Sequence, residues 1–241
     1  MPSNGARALG AGDVLSLEVV TVREAENRAG GVLTLDMRLS SGDLHLVFCT
    51  SRALTSLLGD TCLGLTPPSS GQVRLFERDW QDLDRGQAHW LRAHVGRVLA
   101  RGNWLETRSV WENIVLQQLH ATQRSATAIN REAGRLAREF GLPGLPVDDP
   151  EACPPADLER AACARAFMGR PALVILEHPM TLTYPEMLAP LMEAVQRVRN
   201  RGGAVLLITS LTGLFDDASI PVTRRHRIAG GLMVTADGDR V

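Results

Sequence analysis

The sequence predicts an α/β fold: a mostly parallel sheet core, antiparallel strands near the N-terminus, and an inserted all-helical subdomain. Short, continuously apolar runs at Leu44–Phe48, Leu173–Leu176 and Val205–Thr209 are typical of parallel strands buried on both faces. Alternating apolar and polar residues at Val14–Val20 and Val32–Leu39 favour strands near the N-terminus. The apolar runs predict a parallel sheet that is covered on both faces.

The helical insert is predicted from a change of pattern in the middle of the chain. We predict that residues 1–100 and 161–241 form the core and that residues 101–160 form the helical subdomain. Within the insert, four apolar residues share one helical face: Ile129, Ala133, Leu136 and Phe140. Gly141 then ends that helix.

Further elements complete the predicted core. Strands are expected at Gln72–Phe76 and Val95–Leu99, and an amphipathic helix from about Pro185 to Asn200. The tail from Arg227 to Val241 predicts a closing hairpin. The basic cluster Thr223–Arg227 is interpreted as a solvated turn rather than a nucleic-acid patch.

Composition excludes several function classes. The chain has 241 residues and a net charge of −1, so its overall charge does not favour nucleic acid as a partner. All 26 basic residues are arginine, because the sequence contains no lysine. Chemistry that requires a lysine side chain is therefore excluded.

The cysteines and the hydropathy pattern predict a cytoplasmic protein. Cys49, Cys62, Cys153 and Cys163 form no CxxC pair, which fits reduced thiols better than disulfides or a zinc site. No apolar run approaches the ~20 residues of a membrane span, and Met1–Asp13 lacks a signal-peptide core. We therefore expect the protein to reach a membrane only through a partner.

A series of short motifs occurs in one order along almost the whole chain. The matching segments are Cys49–Leu57, Gly64-Leu65, Ser70-Gly71, Ser109–Leu116, Glu159–Pro179 and Val205–Ser210. Their order and spacing resemble the nucleotide-binding subunit of ABC transporters, the cytosolic ATPase that drives a membrane permease. The resemblance implies a RecA-like core with N-terminal antiparallel strands and an inserted helical subdomain.

The phosphate-binding loop of that family reads GxSGSGKST, and it aligns without a gap with Cys49–Leu57. Its glycines allow backbone N–H groups to surround the phosphates, and its lysine neutralises them. In this chain the glycine positions hold Cys49, Arg52 and Leu54, and Thr55 replaces the lysine. Ser56 alone keeps the hydroxyl that would face magnesium.

The other nucleotide-site motifs of the family are also replaced. In this alignment Ala100 replaces the glutamine, Glu177 the magnesium-binding aspartate, His178 the catalytic glutamate and Ser210 the switch histidine. The LSGGQ signature aligns with Cys153, Pro154, Pro155, Ala156 and Asp157. Val22–Gly31, where an aromatic residue would stack on adenine, contains none.

Three hypotheses follow. The first is a pseudo-ATPase that binds no cofactor and docks on a permease as a structural or regulatory subunit. Its further partner would be a second ATPase-like subunit or a second copy of itself. Trp104 and Trp111 are candidates for the permease contact, or else core residues of the helical subdomain. The second is an unorthodox ATPase in which Arg52, Ser56 and Glu177 rebuild a site for ATP and magnesium. The third is a soluble scaffold.

Overall fold

The computed structural model describes residues 12–23, 31–100 and 102–236 of the chain. Its strands are β1 (Asp13–Arg23), β2 (Val32–Ser40), β3 (Leu44–Phe48), β4 (Ser70–Leu75), β5 (Arg78–Asp79), β6 (Val95–Val98), β7 (Leu173–Glu177), β8 (Ala204–Thr209), β9 (Arg224–Ala229) and β10 (Leu232–Thr235). Its helices are α1 (Arg52–Cys62), α2 (Arg85–Arg92), α3 (Val110–Ala121), α4 (Ala126–Glu139), α5 (Pro155–Ala166), α6 (Leu188–Arg199) and α7 (Thr212–Phe215).

The described strands form one ten-stranded sheet in the order β5-β4-β1-β2-β10-β9-β3-β8-β7-β6. Strands β9, β3, β8, β7 and β6 are mutually parallel. Strands β5, β4, β1 and β2 pair antiparallel at the other end. The predicted combination of a parallel core with N-terminal antiparallel strands is confirmed.

Both faces of the parallel strands are covered, as their uninterrupted apolar sequences predict. Neighbouring residues of β3 contribute to opposite sides: Leu46 packs with α3 to α6, whereas Val47 packs with α1. Because these strands are parallel, the carboxyl ends of β3, β6 and β7 lie at the same edge of the sheet.

The insert contains α3, α4 and the first part of α5. Helix α4 begins after Ser125, whose hydroxyl accepts the amide of Ala128 at 3.3 Å. The four apolar residues predicted to share a face are all buried. Helix α5 runs without a break past residue 160 to Ala166, so the predicted domain boundary falls inside a helix.

The interpretation of Thr223–Arg227 as a turn is wrong, because residues 224–227 belong to β9, although Arg224 and Arg227 are exposed to solvent. This strand is paired on both sides, and its His226 is buried. Arg225 donates hydrogen bonds to the carbonyls of Phe215 and Asp217 at 2.9 and 2.7 Å. Internal acceptors therefore allow basic residues to occupy a central strand.

Two further predicted features lie wholly or partly outside the described residues. One is the hairpin loop at 24–30, where an aromatic residue that stacks on adenine was expected to be absent. The other is the end of the predicted C-terminal hairpin, residues 237–241. Within the described ranges, no helix is both long and apolar enough to cross a membrane.

Candidate functional site

The connection between β3 and α1 is three residues long, Cys49–Ser51. The Ser51 hydroxyl caps α1 by accepting the amide of Leu54 at 3.3 Å, and the Ser51 carbonyl accepts the amide of Thr55 at 3.0 Å. No residue from Cys49 to Leu57 has a positive φ. The segment aligned with the phosphate loop thus contains the first helical turn of α1, with Arg52 and Leu54 in glycine positions.

The residues aligned with the lysine and the catalytic glutamate bind each other. Thr55 is fully buried, and its Oγ1 lies 3.2 Å from Nε2 of His178. His178 has φ +49°, and its amide donates to the carbonyl of Ile208 at 2.9 Å. Burial, followed by the nearby charge of Arg52, lowers the pKa of His178. We therefore treat its imidazole as neutral near pH 7.

Glu177, at the position of the magnesium-binding aspartate, is held by two internal donors. Its Oε1 lies 2.5 Å from both Nε and Nη2 of Arg97, and its Oε2 accepts the amide of Ala100 at 3.0 Å. Arg97 also donates to Oδ1 of Asp60 at 2.6 Å and to the carbonyl of Ser56 at 3.3 Å. Both carboxylate oxygens of Glu177 are therefore already hydrogen-bonded within the protein.

Burial, charge and packing all act on this ion pair. Burial lowers the pKa of Arg97, but the charges of Glu177 and Asp60 outweigh burial and leave the pKa raised. Burial raises the pKa of Glu177 overall, because it outweighs the opposing effects of Arg97 and the Ala100 amide. The pair lies against α1 at Gly59, where a Cβ atom would collide with Arg97 and Glu177. The glycine permits this close approach.

The segment aligned with the LSGGQ signature lies at the start of α5. Pro154 occupies the N-cap without a side-chain capping bond, and Pro155 is the first helical residue. Neither proline has a backbone N–H to offer a ligand. Asp157 instead binds Arg160 of the same helix, with 3.1 Å between Oδ1 and Nη1.

The remaining predicted residues lie in different surroundings. Ser210 is exposed after β8, and Ser56 is half-buried on α1. Trp104 and Trp111 are both half-buried against the main core cluster. Trp111 donates to Oδ1 of Asn130 at 3.2 Å, and the Trp104 ring lies 4.4 Å from the guanidinium carbon of Arg165. Within the described ranges, no group of three or more His, Cys, Asp or Glu residues could hold a metal ion.

Two concave regions lie between the core and the helical insert. The first, called the cleft below, has a volume of about 300 Å³ and is lined by residues that include Arg52, Ala100, Trp104, Leu158, Glu159 and His178. The second, called the groove, has a volume of about 480 Å³ and is lined by residues that include Arg92, Leu99, Leu105, Leu116, His120 and Arg165.

The sequence analysis did not predict Arg97, Asp60 or the bond between Thr55 and His178. The signal for Arg97 was present in the apolar strand Val95–Val98, where an arginine between buried neighbours needs a carboxylate partner. No comparable signal marks the bond between Thr55 and His178, which joins residues far apart in sequence.

The topology, with its parallel core, antiparallel end and helical insert, is the ABC ATPase cassette fold. A dimeric structure of MJ0796, a bacterial ABC transporter cassette, superposes with a TM-score of 0.77, 17% identity, and coverage of 93% of this chain and 99% of that one. CbiO1 from Clostridium perfringens, part of the ABC transporter complex cbiONQ, gives a TM-score of 0.70 and 16% identity over 92% of this chain and 87% of that one.

Sequence relatives belong to the same class. The chain is 24% identical over 196 residues to the cell division ATP-binding protein FtsE of Mycobacterium tuberculosis, covering 81% of this chain and 85% of FtsE. It is 26% identical over 195 residues to the methionine import ATP-binding protein MetN 1 of Lactiplantibacillus plantarum, covering 79% of this chain and 54% of the relative. No protein-family model matches. Together, sequence and fold relate the chain to ABC transporter ATP-binding subunits.

Proposed function

We propose that this chain is an ABC-type subunit that does not turn over ATP and that docks on a membrane permease as a structural or regulatory component. The observation that carries the first half of the proposal is that α1 begins at Arg52, inside the segment aligned with the phosphate loop. A phosphate cradle requires a loop whose amides point inward. Here the amides of Leu54 and Thr55 are already bonded to Ser51.

The side chains around this turn support the same conclusion. Phosphoryl transfer depends on positioning and on stabilisation of charge at the transferred group. Thr55, Glu177 and His178 align with the lysine, the aspartate and the glutamate, in that order. Each of these side chains is hydrogen-bonded to another group of the protein. A nucleotide would have to break these buried contacts before it could use them.

Calorimetric titration with ATP and magnesium to millimolar concentrations tests this half of the proposal, together with a phosphate-release assay. We expect no saturable heat, no thermal stabilisation and no released phosphate. An intact relative of the methionine-import class, prepared in the same way, is the matched control. Saturable binding accompanied by turnover would contradict the proposal.

The relatives favour a second candidate, because FtsE and MetN 1 are named as ATP-binding proteins. In this alternative, Arg52, Ser56 and Glu177 form an unorthodox site for ATP and magnesium. It predicts magnesium-dependent ATP binding that is lost in Ser56→Ala and in Glu177→Ala, with folding checked by circular dichroism. Unchanged binding in both folded variants would exclude it.

The groove supports the docking half of the proposal. Its lining combines leucines with His89, Arg92, His120 and Arg165, and also includes Arg97, whose charge is neutralised by Glu177 and Asp60. No Asp or Glu is among its lining residues. Arg92 is oriented by the carbonyls of Leu63 and Gly64 at 2.9 and 3.1 Å. This chemistry fits a short amphipathic helix with an apolar face and acidic flanks.

We infer that the occupant is such a helix from a cytoplasmic loop of the permease, which would bring the protein to the membrane surface. Trp104 and Trp111, the residues predicted to contact the permease, do not line the groove. In this proposal the exposed Leu105 makes the central contact with the permease helix. A synthetic acidic amphipathic helix should bind, and the same peptide with lysine in place of its acidic residues should not. Equal binding of both peptides would contradict the charge argument.

A soluble scaffold is the third hypothesis, and it is separated from the first by the membrane partner. Detergent extraction followed by affinity purification of the tagged full chain should recover a permease in stoichiometric amount. Recovery of the chain from the soluble fraction without any membrane protein would favour the scaffold.

A further inference from the structure

The amino ends of β6, β7 and β8 lie side by side, at the edge of the sheet opposite the carboxyl ends that border the cleft. The carbonyl of His94, just before β6, accepts the amide of Ala172 at 2.9 Å, and the carbonyl of Ala172 accepts the amide of Ala204 at 2.9 Å. Neighbouring strands are about 4.8 Å apart. The residues that enter these strands, 94, 169–172 and 201–203, therefore form a continuous edge about 10 Å long, called the rim below.

Two exposed arginines of the rim have no carboxylate partner. Arg170 lies two residues before Ala172, and Arg201 lies three residues before Ala204. Neither guanidinium forms a hydrogen bond or an ion pair with the residues that the structure describes. Arg197, near the end of α6, instead pairs with Glu139, with 2.7 Å between Nη2 and Oε2. The rim thus carries two positive charges that the described residues do not neutralise.

Like charges are crowded at this point of the surface. Partial burial, followed by the charges of Arg170 and Arg197, lowers the pKa of Arg201, and the charge of Glu132 opposes them without outweighing them. An anion beside Arg170 and Arg201 would relieve the repulsion between the guanidinium groups.

The two carboxylates close to the rim are already bound. Glu132 accepts Nη1 of Arg124 at 2.5 Å and the amide of Gly169 at 3.3 Å. Glu139 is shared between Arg135 and Arg197. Each carboxylate therefore joins two donors from different parts of the surface, and neither forms an ion pair with the arginines of the rim.

The backbone fixes the place of Arg170. Gly169 and Arg170 have φ values of +73° and +63°, and a Cβ atom on Gly169 would collide with the side chain of Gln118. Pro171, the next residue, is buried. A turn held in this way presents Arg170 at one position, so binding a partner there costs less conformational entropy than ordering a mobile loop.

An exposed tryptophan lies next to the β6 end of the rim. Trp90 of α2 is 50% exposed, and its ring centroid is 4.3 Å from that of His94. The guanidinium carbon of Arg78 lies 5.9 Å from the ring centroid of Trp90. Tryptophan and arginine are the residues most enriched among the energetically dominant contacts of protein interfaces. Trp90 is therefore an apolar anchor point beside the two arginines.

We propose that the rim binds an acidic segment of a partner protein, with an apolar side chain of that segment against Trp90 and its carboxylates paired with Arg170 and Arg201. An extended chain advances about 3.3 Å per residue, so the apolar side chain and the carboxylates would be about three to four residues apart.

A peptide is favoured over a nucleic acid because Glu132 and Glu139 lie beside the rim and would repel a continuous phosphate backbone. None of Trp90, Arg170 and Arg201 lines the groove or the cleft. The proposal is therefore independent of the proposed function.

The test is fluorescence anisotropy of a labelled peptide titrated with the full chain. In this peptide one leucine precedes three consecutive glutamates by three residues. One matched peptide has glutamine in place of each glutamate, and another has serine in place of the leucine. We expect saturable binding of the first peptide, weakened by raised salt, and at least tenfold weaker binding of the other two.

Variants locate the bound peptide. Arg170→Asn and Arg201→Gln should each weaken binding about tenfold, because a charge-assisted bond is lost. Asparagine is chosen at residue 170 because it tolerates the positive φ. Arg85→Gln is the matched control, since Arg85 is an exposed arginine at the other end of α2.

The tryptophan has its own control. Trp90→Ser should weaken binding about tenfold, whereas Leu232→Ser should not, because Leu232 is equally exposed but lies on β10. Circular dichroism checks that each variant is folded. Leu105→Asp in the groove should leave the affinity of this peptide unchanged.

Four results would overturn the proposal: no saturable binding at low salt, equal binding of the glutamine peptide, unchanged affinity in the double variant Arg170→Asn with Arg201→Gln, or loss of binding in Leu105→Asp. Competition tests the nature of the partner. Displacement of the peptide by phosphatidylglycerol vesicles or by single-stranded DNA, at lower concentration than unlabelled peptide requires, would assign the rim to a polyphosphate surface and would also overturn it. Any of these results leaves the ATP titration and the groove experiments to be judged separately.

Discussion

The turn after β3 and the groove beside α3 both contain charged side chains next to buried apolar residues, but they use these side chains differently. Near the turn, polar groups bind one another: Thr55 bonds with His178, and Glu177 bonds with Arg97 and the amide of Ala100. Along the groove, Arg92 and Arg165 are oriented by backbone carbonyls.

This difference determines what each region can offer a ligand. A side chain whose charge is neutralised inside the protein contributes to stability and has little left for a partner. An arginine held by carbonyl dipoles and an aromatic ring, without a carboxylate partner, keeps its net charge. Removal of internal bonds should therefore reduce stability at the turn, whereas equivalent changes along the groove should mainly reduce binding.

The largest expected effect is on the buried ion pair. Arg97→Met leaves Glu177 buried without its cation, so we expect the free energy of unfolding to fall by about 3–5 kcal/mol. Arg92→Met is the matched control at the groove and should cost about 1 kcal/mol, because its carbonyl acceptors can be rehydrated. Urea denaturation measures both values.

A double variant distinguishes a lost ion pair from lost packing. Arg97→Met combined with Glu177→Leu should recover part of the loss, since no unpaired charge remains. A double variant less stable than Arg97→Met alone would show that packing, rather than the unpaired carboxylate, dominates.

The second effect concerns the glycine beside that pair. In Gly59→Ala the new methyl group would displace Arg97 and Glu177, and overpacking of this kind typically costs about 1–3 kcal/mol. Gly144→Ala is the control, because its added Cβ would meet no atom within 4 Å. Thermal unfolding compares them, and equal stability of the two variants would contradict the steric argument.

The third effect should appear in binding and not in folding. Leu105 is 49% exposed in the groove, and Leu105→Asp should weaken binding of the acidic amphipathic peptide about tenfold, which corresponds to about 1.4 kcal/mol. Val147→Asp is the control, because Val147 is exposed but does not line the groove. Fluorescence anisotropy with labelled peptide measures the difference. Equal affinities would exclude the groove as the binding site.

The smallest effect is a difference in thiol reactivity. Burial raises the pKa of Cys62 to about 12 and also raises that of Cys163, so both lack thiolate at pH 8. Cys153 is only half-buried, although burial and nearby carboxylates raise its pKa too. Iodoacetamide should therefore modify Cys153 first, as peptide mass spectrometry would show. Equal labelling of Cys62, Cys153 and Cys163 in the folded protein would contradict the burial of Cys62 and Cys163.

The sequence could predict much of the fold because burial follows from local pattern. The strand Leu44–Phe48 is found with the predicted bounds, and the apolar face of α4 is buried as expected. Thr223–Arg227 was misinterpreted because its charge suggested solvent, whereas carbonyls distant in sequence satisfy Arg225. Such long-range acceptors leave no local signal.

The candidate site was less accessible to sequence reasoning for the same reason. Alignment placed Thr55, Glu177 and His178 at the altered positions, but it could not show that Thr55 and His178 are bonded to each other. It also could not show that α1 starts at Arg52, because replacement of the glycines permits a helix there without requiring one. Both features depend on how distant segments pack.

The start of α1 at Arg52 determines which substitutions could create a phosphate-binding loop. Introducing a lysine at Thr55 alone would place a cation inside a helix whose first turn still occupies the loop. Introducing glycines alone would weaken that helix by roughly 1 kcal/mol each without creating a charge for the phosphates. Under the proposed function, a phosphate-binding loop would therefore require several simultaneous substitutions, because neither change alone supplies both inward-facing amides and a charge for the phosphates.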